Sequence, residues 1–135
     1  EEEEVLLVSD KVRLYEAREM KELAFTHIRV GDQLDVYYKE NTPLLMSYPG
    51  QYSPDVIVLN KNNDYMSHKY SFFDEELISQ DNKVKINKDF LTKIEDYQDE
   101  DLIKNLIKNR YLLIFYKAST RSIPAQVNPE KIIIF

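Results

Sequence analysis

Ser47-Tyr-Pro-Gly-Gln-Tyr-Ser-Pro-Asp-Val-Ile-Val-Leu59 decides how this chain is read, because it returns as Ser122-Ile-Pro-Ala-Gln-Val-Asn-Pro-Glu-Lys-Ile-Ile-Ile134. Ser, Pro, Gln, Pro and Ile coincide at a constant offset of 75 residues. A shorter block precedes each copy, Tyr38-Lys-Glu-Asn-Thr42 and Tyr116-Lys-Ala-Ser-Thr120, and there Tyr, Lys and Thr coincide at an offset of 78. A length change of three residues between the blocks accounts for the two offsets. Average residue usage gives about one such identity by chance, against eight over the two blocks. The repeat predicts two copies of one small unit.

Each copy holds two prolines five residues apart, Pro49 and Pro54, then Pro124 and Pro129. Proline fixes φ and removes a backbone donor, and it pushes the preceding residue toward extended geometry. The segment opened by Ser47 or Ser122 is therefore predicted to be a stiff extended connector between two strands. The glutamine between the prolines, Gln51 or Gln126, has two donors and two acceptors and is predicted to brace the loop. Tyr48–Pro49 and Ile123–Pro124 are both expected trans, the common state of an X-Pro bond.

Working outward, the strand period of two recurs along the chain. Val5–Val8 reads as a buried strand and Lys11–Tyr15 as an alternating one. Glu16–Leu23 is rich in helix formers and predicts one or two helical turns. Val30-Gly-Asp32 is a turn, after which Gln33–Lys39 alternates with Leu34, Val36 and Tyr38 on one face. A short edge strand is expected at Leu44–Met46, and Val56–Leu59 closes the first copy. In the second copy, strands are expected at His68–Phe73, around Val84 and Ile86, at Phe90–Ile94, at Tyr111–Lys117 and at Lys131–Phe135. Asp99-Glu-Asp101 before Leu102, Ile103, Leu106 and Ile107 predicts a helix over 101–109, with acids at its N-terminus where the dipole favours them. The expected fold is all-β with one or two short helices. It comprises two tandem OB- or SH3-like barrels with approximate twofold symmetry, at residues 1–60 and 64–135, joined by a polar linker at 61–63.

Hydrophobic residues make up 43% of the 135 residues, enough for a core. Ten Tyr, six Phe and two Gly favour pleated, half-buried surface. With no cysteine there are no disulfides, no thiolate metal sites and no cysteine nucleophile. The net charge of −6 arises in residues 1–60, which hold 6 basic and 12 acidic side chains, whereas residues 61–135 hold 12 of each. An acidic chain without a basic stripe does not suit nucleic acid. No apolar run approaches the ~18 residues that a spanning helix needs.

A strand ending in Tyr, a Thr- and Ser-containing loop, Ser-x-Pro-x-Gln and a closing Ile-rich strand form a connected pattern. The pattern is carried by Val30-Gly-Asp-Gln-Leu-Asp-Val-Tyr-Tyr-Lys39, Met46-Ser-Tyr-Pro-Gly-Gln51 and Thr120-Arg-Ser-Ile-Pro-Ala-Gln126. It resembles secreted modules of low-GC Gram-positive bacteria. These occur as small lipoproteins and as pieces of larger surface proteins, often beside copper amine oxidase N-terminal-like stalk domains. The resemblance covers about half of each repeat. It implies small OB-like barrels in an extracellular, cell-surface setting, with any signal peptide already removed, and it supplies no catalytic residues.

The chemistry-bearing residues form no catalytic constellation at the sequence level. His27 and His68 are far apart and expected on packing or surface positions. Asp74-Glu-Glu76 and Asp99-Glu-Asp101 lack the spacing and glycine of a calcium loop. Two glycines cannot build a phosphate-binding loop. The expectation is a protein that is not an enzyme and holds no cofactor and no metal. It would be a binding or assembly module contacting protein or cell-wall glycan, with no nucleic acid and no membrane span, as a monomer or weak dimer. The alternative is a protease-inhibitor-like or hydrolase-associated domain of a larger surface protein. Tyr48, Tyr52, Tyr65 and Tyr70 are the candidate binding residues, as an exposed aromatic patch. Lys131–Phe135 is strand-forming and ends without a cap or turn, which predicts a native chain continuing past Phe135. It also predicts that this strand is paired on both sides or buried in a dimer contact.

Overall fold

The computed structural model describes residues 4–9, 11–38, 50–52, 54–60, 66–87 and 100–135, with the backbone alone at 4, 50–52 and 100–103. Strands dominate. The helical elements among the described residues are one α-helix and one 3-10 turn at Phe25–His27. The chain divides into two units, 1–64 and 65–135.

The first unit holds β1 (Glu4–Leu6), β2 (Arg13–Glu16), β3 (Lys21–Leu23), β4 (Gln33–Tyr37), β5 (Gly50–Tyr52) and β6 (Val56–Asn60). Four of them form a sheet in the order β3-β2-β6-β4, with β2 and β6 parallel and the other pairs antiparallel. Val56–Leu59 is an unbroken apolar run because β6 is central and buried on both faces. Its Ile57 and Leu59 join Val12 and Leu14 in a core that Leu6, Leu23, Phe25, Ile28, Leu34 and Val36 complete. Residues 16–23, predicted as helical turns, are instead the hairpin of β2 and β3. Pairing Leu14 with Leu23 buries apolar surface that a short exposed helix could not. The Glu16 carboxylate accepts the N–H groups of Arg18 and Glu19 (2.9 and 3.2 Å), and Met20 takes a left-handed φ of 57° to close the loop. The turn at Val30-Gly-Asp32 is present, with Gly31 at φ 96° and Asp32 N–H on the Arg29 carbonyl. The predicted buried strand at Val5–Val8 is short and largely exposed. Only Leu6 of that run packs on the core.

The second unit holds β7 (Ser67–Phe73), β8 (Val84–Ile86), α1 (Glu100–Ile107), β9 (Arg110–Tyr116), β10 (Ala125–Val127) and β11 (Lys131–Ile134). β9 is the centre of the sheet β11-β9-β7, antiparallel to both neighbours, and its Leu112–Phe115 are fully buried on both faces. Leu112, Ile114, Phe73, Leu77, Val84, Ile86, Ile107 and Val127 form the core on one face. The other face is aromatic. Tyr70 stacks on Tyr111 and meets Phe135 edge-on, and His68 tilts against Phe115. β11 has one partner among the described residues, and Ile134 is exposed, so the expectation of a strand paired on both sides is not met there. Leu44–Met46 and Phe90–Ile94 lie outside the described residues.

Ladder registers tie these elements to the repeat. Val36 stands opposite Ile57, and Ile114 opposite Ile132. These are the same pair of positions carried through the offsets of 78 and 75. The proline-flanked segments, predicted as connectors, are ladder strands. Gln51 pairs in parallel with Val5, and Gln126 with Lys85. Each strand fits because its prolines stand just outside its three residues, so no ladder donor is lost. The third strands differ. β2 lies on β6 in the first unit, and β7 lies on β9 in the second. The described strands form four separate ladders, none of which closes into a barrel.

Candidate functional site

The repeated motif is fully described in the second unit, where it forms a loop between β9 and β10. A bridge between Ser119 and Val127 closes its base, and the Thr120 N–H donates to the Gln126 carbonyl (3.1 Å). Inside the loop the Gln126 N–H donates to Thr120 Oγ1 (2.8 Å), and Ser122 Oγ donates to the Pro124 carbonyl (2.9 Å). Ser122 has one proton and spends it on Pro124, so at 2.6 Å Thr120 Oγ1 is the donor to Ser122 Oγ. The result is a one-way relay from Gln126 through both hydroxyls to Pro124. It holds each turn of the loop to the next without a core.

The bracing therefore comes from the hydroxyls and from the Gln126 backbone. The Gln126 side chain was expected to do this, but it is exposed beside Lys85, on the outward side of a strand whose Val127 points in. Gln126 makes no side-chain hydrogen bond to a described residue. Ile123–Pro124 is cis, correcting the expectation of trans. At the tip Ile123 is 84% exposed. Pro124 is half-buried and Pro129 is buried behind the loop.

In the first unit the matching residues are placed in part. Ser47, Tyr48 and Pro49 lie outside the described residues. Gln51 and Tyr52 are in β5 with only their backbone described, and Pro54 is buried like Pro129. Of the four candidate tyrosines, Tyr70 alone has a described side chain. Tyr65 lies outside the described residues, and Tyr70 is 4% exposed, a packing residue between Tyr111 and Phe135. Tyr70 was misjudged because β7 alternates, and both of its faces carry aromatics against the sheet. The exposure of Ile123 was not anticipated because a single aliphatic residue before proline carries no periodic signal.

Other polar groups serve the fold. Asp74 accepts the N–H groups of Glu76 and Ile78 and caps the turn after β7. His27 Nδ1 lies 3.1 Å from the Ala24 carbonyl in the 3-10 turn. Ser79 and Asp81 brace the approach to β8, with Lys69 in an ion pair to Asp81. Among the described residues no three His, Asp or Glu side chains are grouped to hold a metal ion, and no helix is long and apolar enough to cross a membrane. No protein-family model, no curated protein and no solved structure matches this chain.

Proposed function

We propose that this chain is a non-enzymatic binding or assembly module of the bacterial cell surface, contacting protein or cell-wall glycan through its Ser-x-Pro-x-Gln loops. The observation that carries the reading is the relay-braced loop that holds Ile123 out to solvent. A rigid loop with an apolar tip loses little conformational freedom on binding, which favours contact over chemistry. The sequence identities between the copies support the same use of both loops. Thr42, Ser47, Pro49 and Gln51 occupy the repeat positions of Thr120, Ser122, Pro124 and Gln126, the residues of the relay. Tyr48 then stands where Ile123 stands.

The finer architecture belongs to the same proposal. The two units are read as tandem copies of one small OB- or SH3-like unit, and the shared register of one strand pair in each supports the copying. The extracellular setting rests on the resemblance of the motif to secreted surface modules. Thermal-shift and pull-down measurements against muropeptides, intact cell-wall glycan and surface proteins test the function. Binding that Ile123→Asp abolishes is the expected result. Turnover of any substrate, or binding indifferent to that substitution, refutes the reading.

A further inference from the structure

The ground around Ile123 is charged with one sign. Arg121 precedes it by two residues and is exposed. Lys83 lies alongside, its carbonyl accepting the Ala125 N–H (2.9 Å), and Lys85 stands opposite Gln126 in the parallel ladder. Lys117 is exposed directly after β9, on the way into the loop. None of these four cations makes an ion pair or side-chain hydrogen bond with a described residue. The nearest carboxylate before β8, Asp81, is occupied by Lys69 and Ser79. No Asp or Glu occurs in the sequence between Asp101 and Glu130. In a chain of net charge −6, an exposed apolar tip thus stands near four cations that no described carboxylate neutralises.

We propose that the Thr120–Gln126 loop docks this chain on an anionic lipid bilayer. Ile123 enters the boundary between headgroups and acyl chains, and Arg121, Lys83, Lys85 and Lys117 lie against the headgroup phosphates. The inference rests on reading this loop as a contact surface. The pairing of features selects the partner. Interfacial binding grows with buried apolar area and with attraction of basic side chains to anionic lipid, and a bilayer offers both layers at once. A glycan supplies no acyl layer and a protein only a pocket shaped to the tip, so the lipid contact is a further use of the loop beside the protein or glycan contact proposed above.

The test is flotation of the full chain with vesicles of phosphatidylcholine alone and with a third of the lipid as phosphatidylglycerol, at low and high salt. The expected result is binding to the phosphatidylglycerol vesicles alone, weakened by salt. Ile123→Asp lowers that affinity roughly tenfold, since a charge replaces an apolar side chain at the interface. The double change Lys83→Glu with Arg121→Glu lowers it roughly thirtyfold or more. All three positions are exposed, so circular dichroism and melting of the variants stay as in the parent chain. No flotation of the parent chain with phosphatidylglycerol vesicles, or flotation that both variants retain, overturns the proposal. The same variants are assayed on cell-wall glycan and surface protein. If Ile123→Asp loses those partners while the parent ignores vesicles, the lipid inference falls and the loop remains the contact. If vesicles bind through Ile123 while glycan and protein binding do not depend on it, the lipid inference stands without the broader reading.

Discussion

Ser79→Ala is the sharpest test of what holds the second unit together. Ser79 is a polar side chain at 2% exposure, and its Oγ does two jobs. It accepts the Val84 N–H (3.0 Å), which starts β8, and it donates to Asp81 Oδ1 (2.7 Å). Alanine removes the hydroxyl and leaves the buried Val84 N–H without that acceptor. Leaving a buried donor unsatisfied costs about 1–3 kcal/mol, and the second bond is worth about 1 kcal/mol less its exposure to water. We expect a loss of about 2 kcal/mol, which lowers the melting point of a unit this size by about 10 °C. Urea denaturation followed by circular dichroism gives the free energy, and amide exchange at Val84 gives the local cause. A change under about 0.5 kcal/mol, the level of an ordinary surface substitution, refutes the reasoning.

The same network sets an acid-side dependence. Burial alone pushes the Asp81 carboxyl up, but hydrogen bonds from Lys69, Ser79 and the Lys83 backbone, with the Lys69 charge, overcome it and hold the carboxyl below the ordinary carboxylate value. A depressed folded value means that the stabilisation is present above the unfolded value and lost as pH falls through the folded one. Stability should therefore decline in acid with a slope that Asp81→Asn reduces.

Further outcomes follow from the first unit. Leu14→Ala, at a fully buried position facing Leu23 and Ile57, should cost about 3 kcal/mol in urea denaturation. Gly31→Ala meets no steric obstacle but must hold φ at 96°, so a loss of about 1 kcal/mol is expected from backbone conformation alone. Burial, helped by the charge and hydrogen bond of Glu22 and opposed by the Arg13 cation, pushes the Tyr15 phenol up to about 12. Ultraviolet difference titration should show it ionising after the exposed tyrosines. Its stabilisation is complete below the unfolded value near 10 and is lost as pH rises through about 12.

Much of the strand content was legible because burial leaves a period. Gln33–Tyr37 alternates, and Val56–Leu59 and Leu112–Phe115 are continuous because both faces of their strands are covered. Lys11–Tyr15 was legible as a strand, but its return over 16–23 was not. Ala, Arg, Glu, Met and Lys favour a helix locally, and only the distant partner β6 makes pairing the better outcome. The parallel strands β5 and β10 were hidden by their prolines, which read as loop although they fall just outside the ladder. In the loop, the repeat identities fall on Thr120, Ser122, Pro124 and Gln126, which hydrogen bonds join. The division of labour among them was not readable, since a glutamine side chain and a backbone N–H at one position look the same in sequence.

The proposed equivalence of the two units is tested most directly by the set of interstrand nuclear Overhauser effects in solution. Equivalent units should show contacts of Val36 with Ile57 and of Ile114 with Ile132, together with parallel contacts of Gln51 with Val5 and of Gln126 with Lys85. A register displaced by one residue in either unit, or an antiparallel arrangement at either glutamine, contradicts that equivalence.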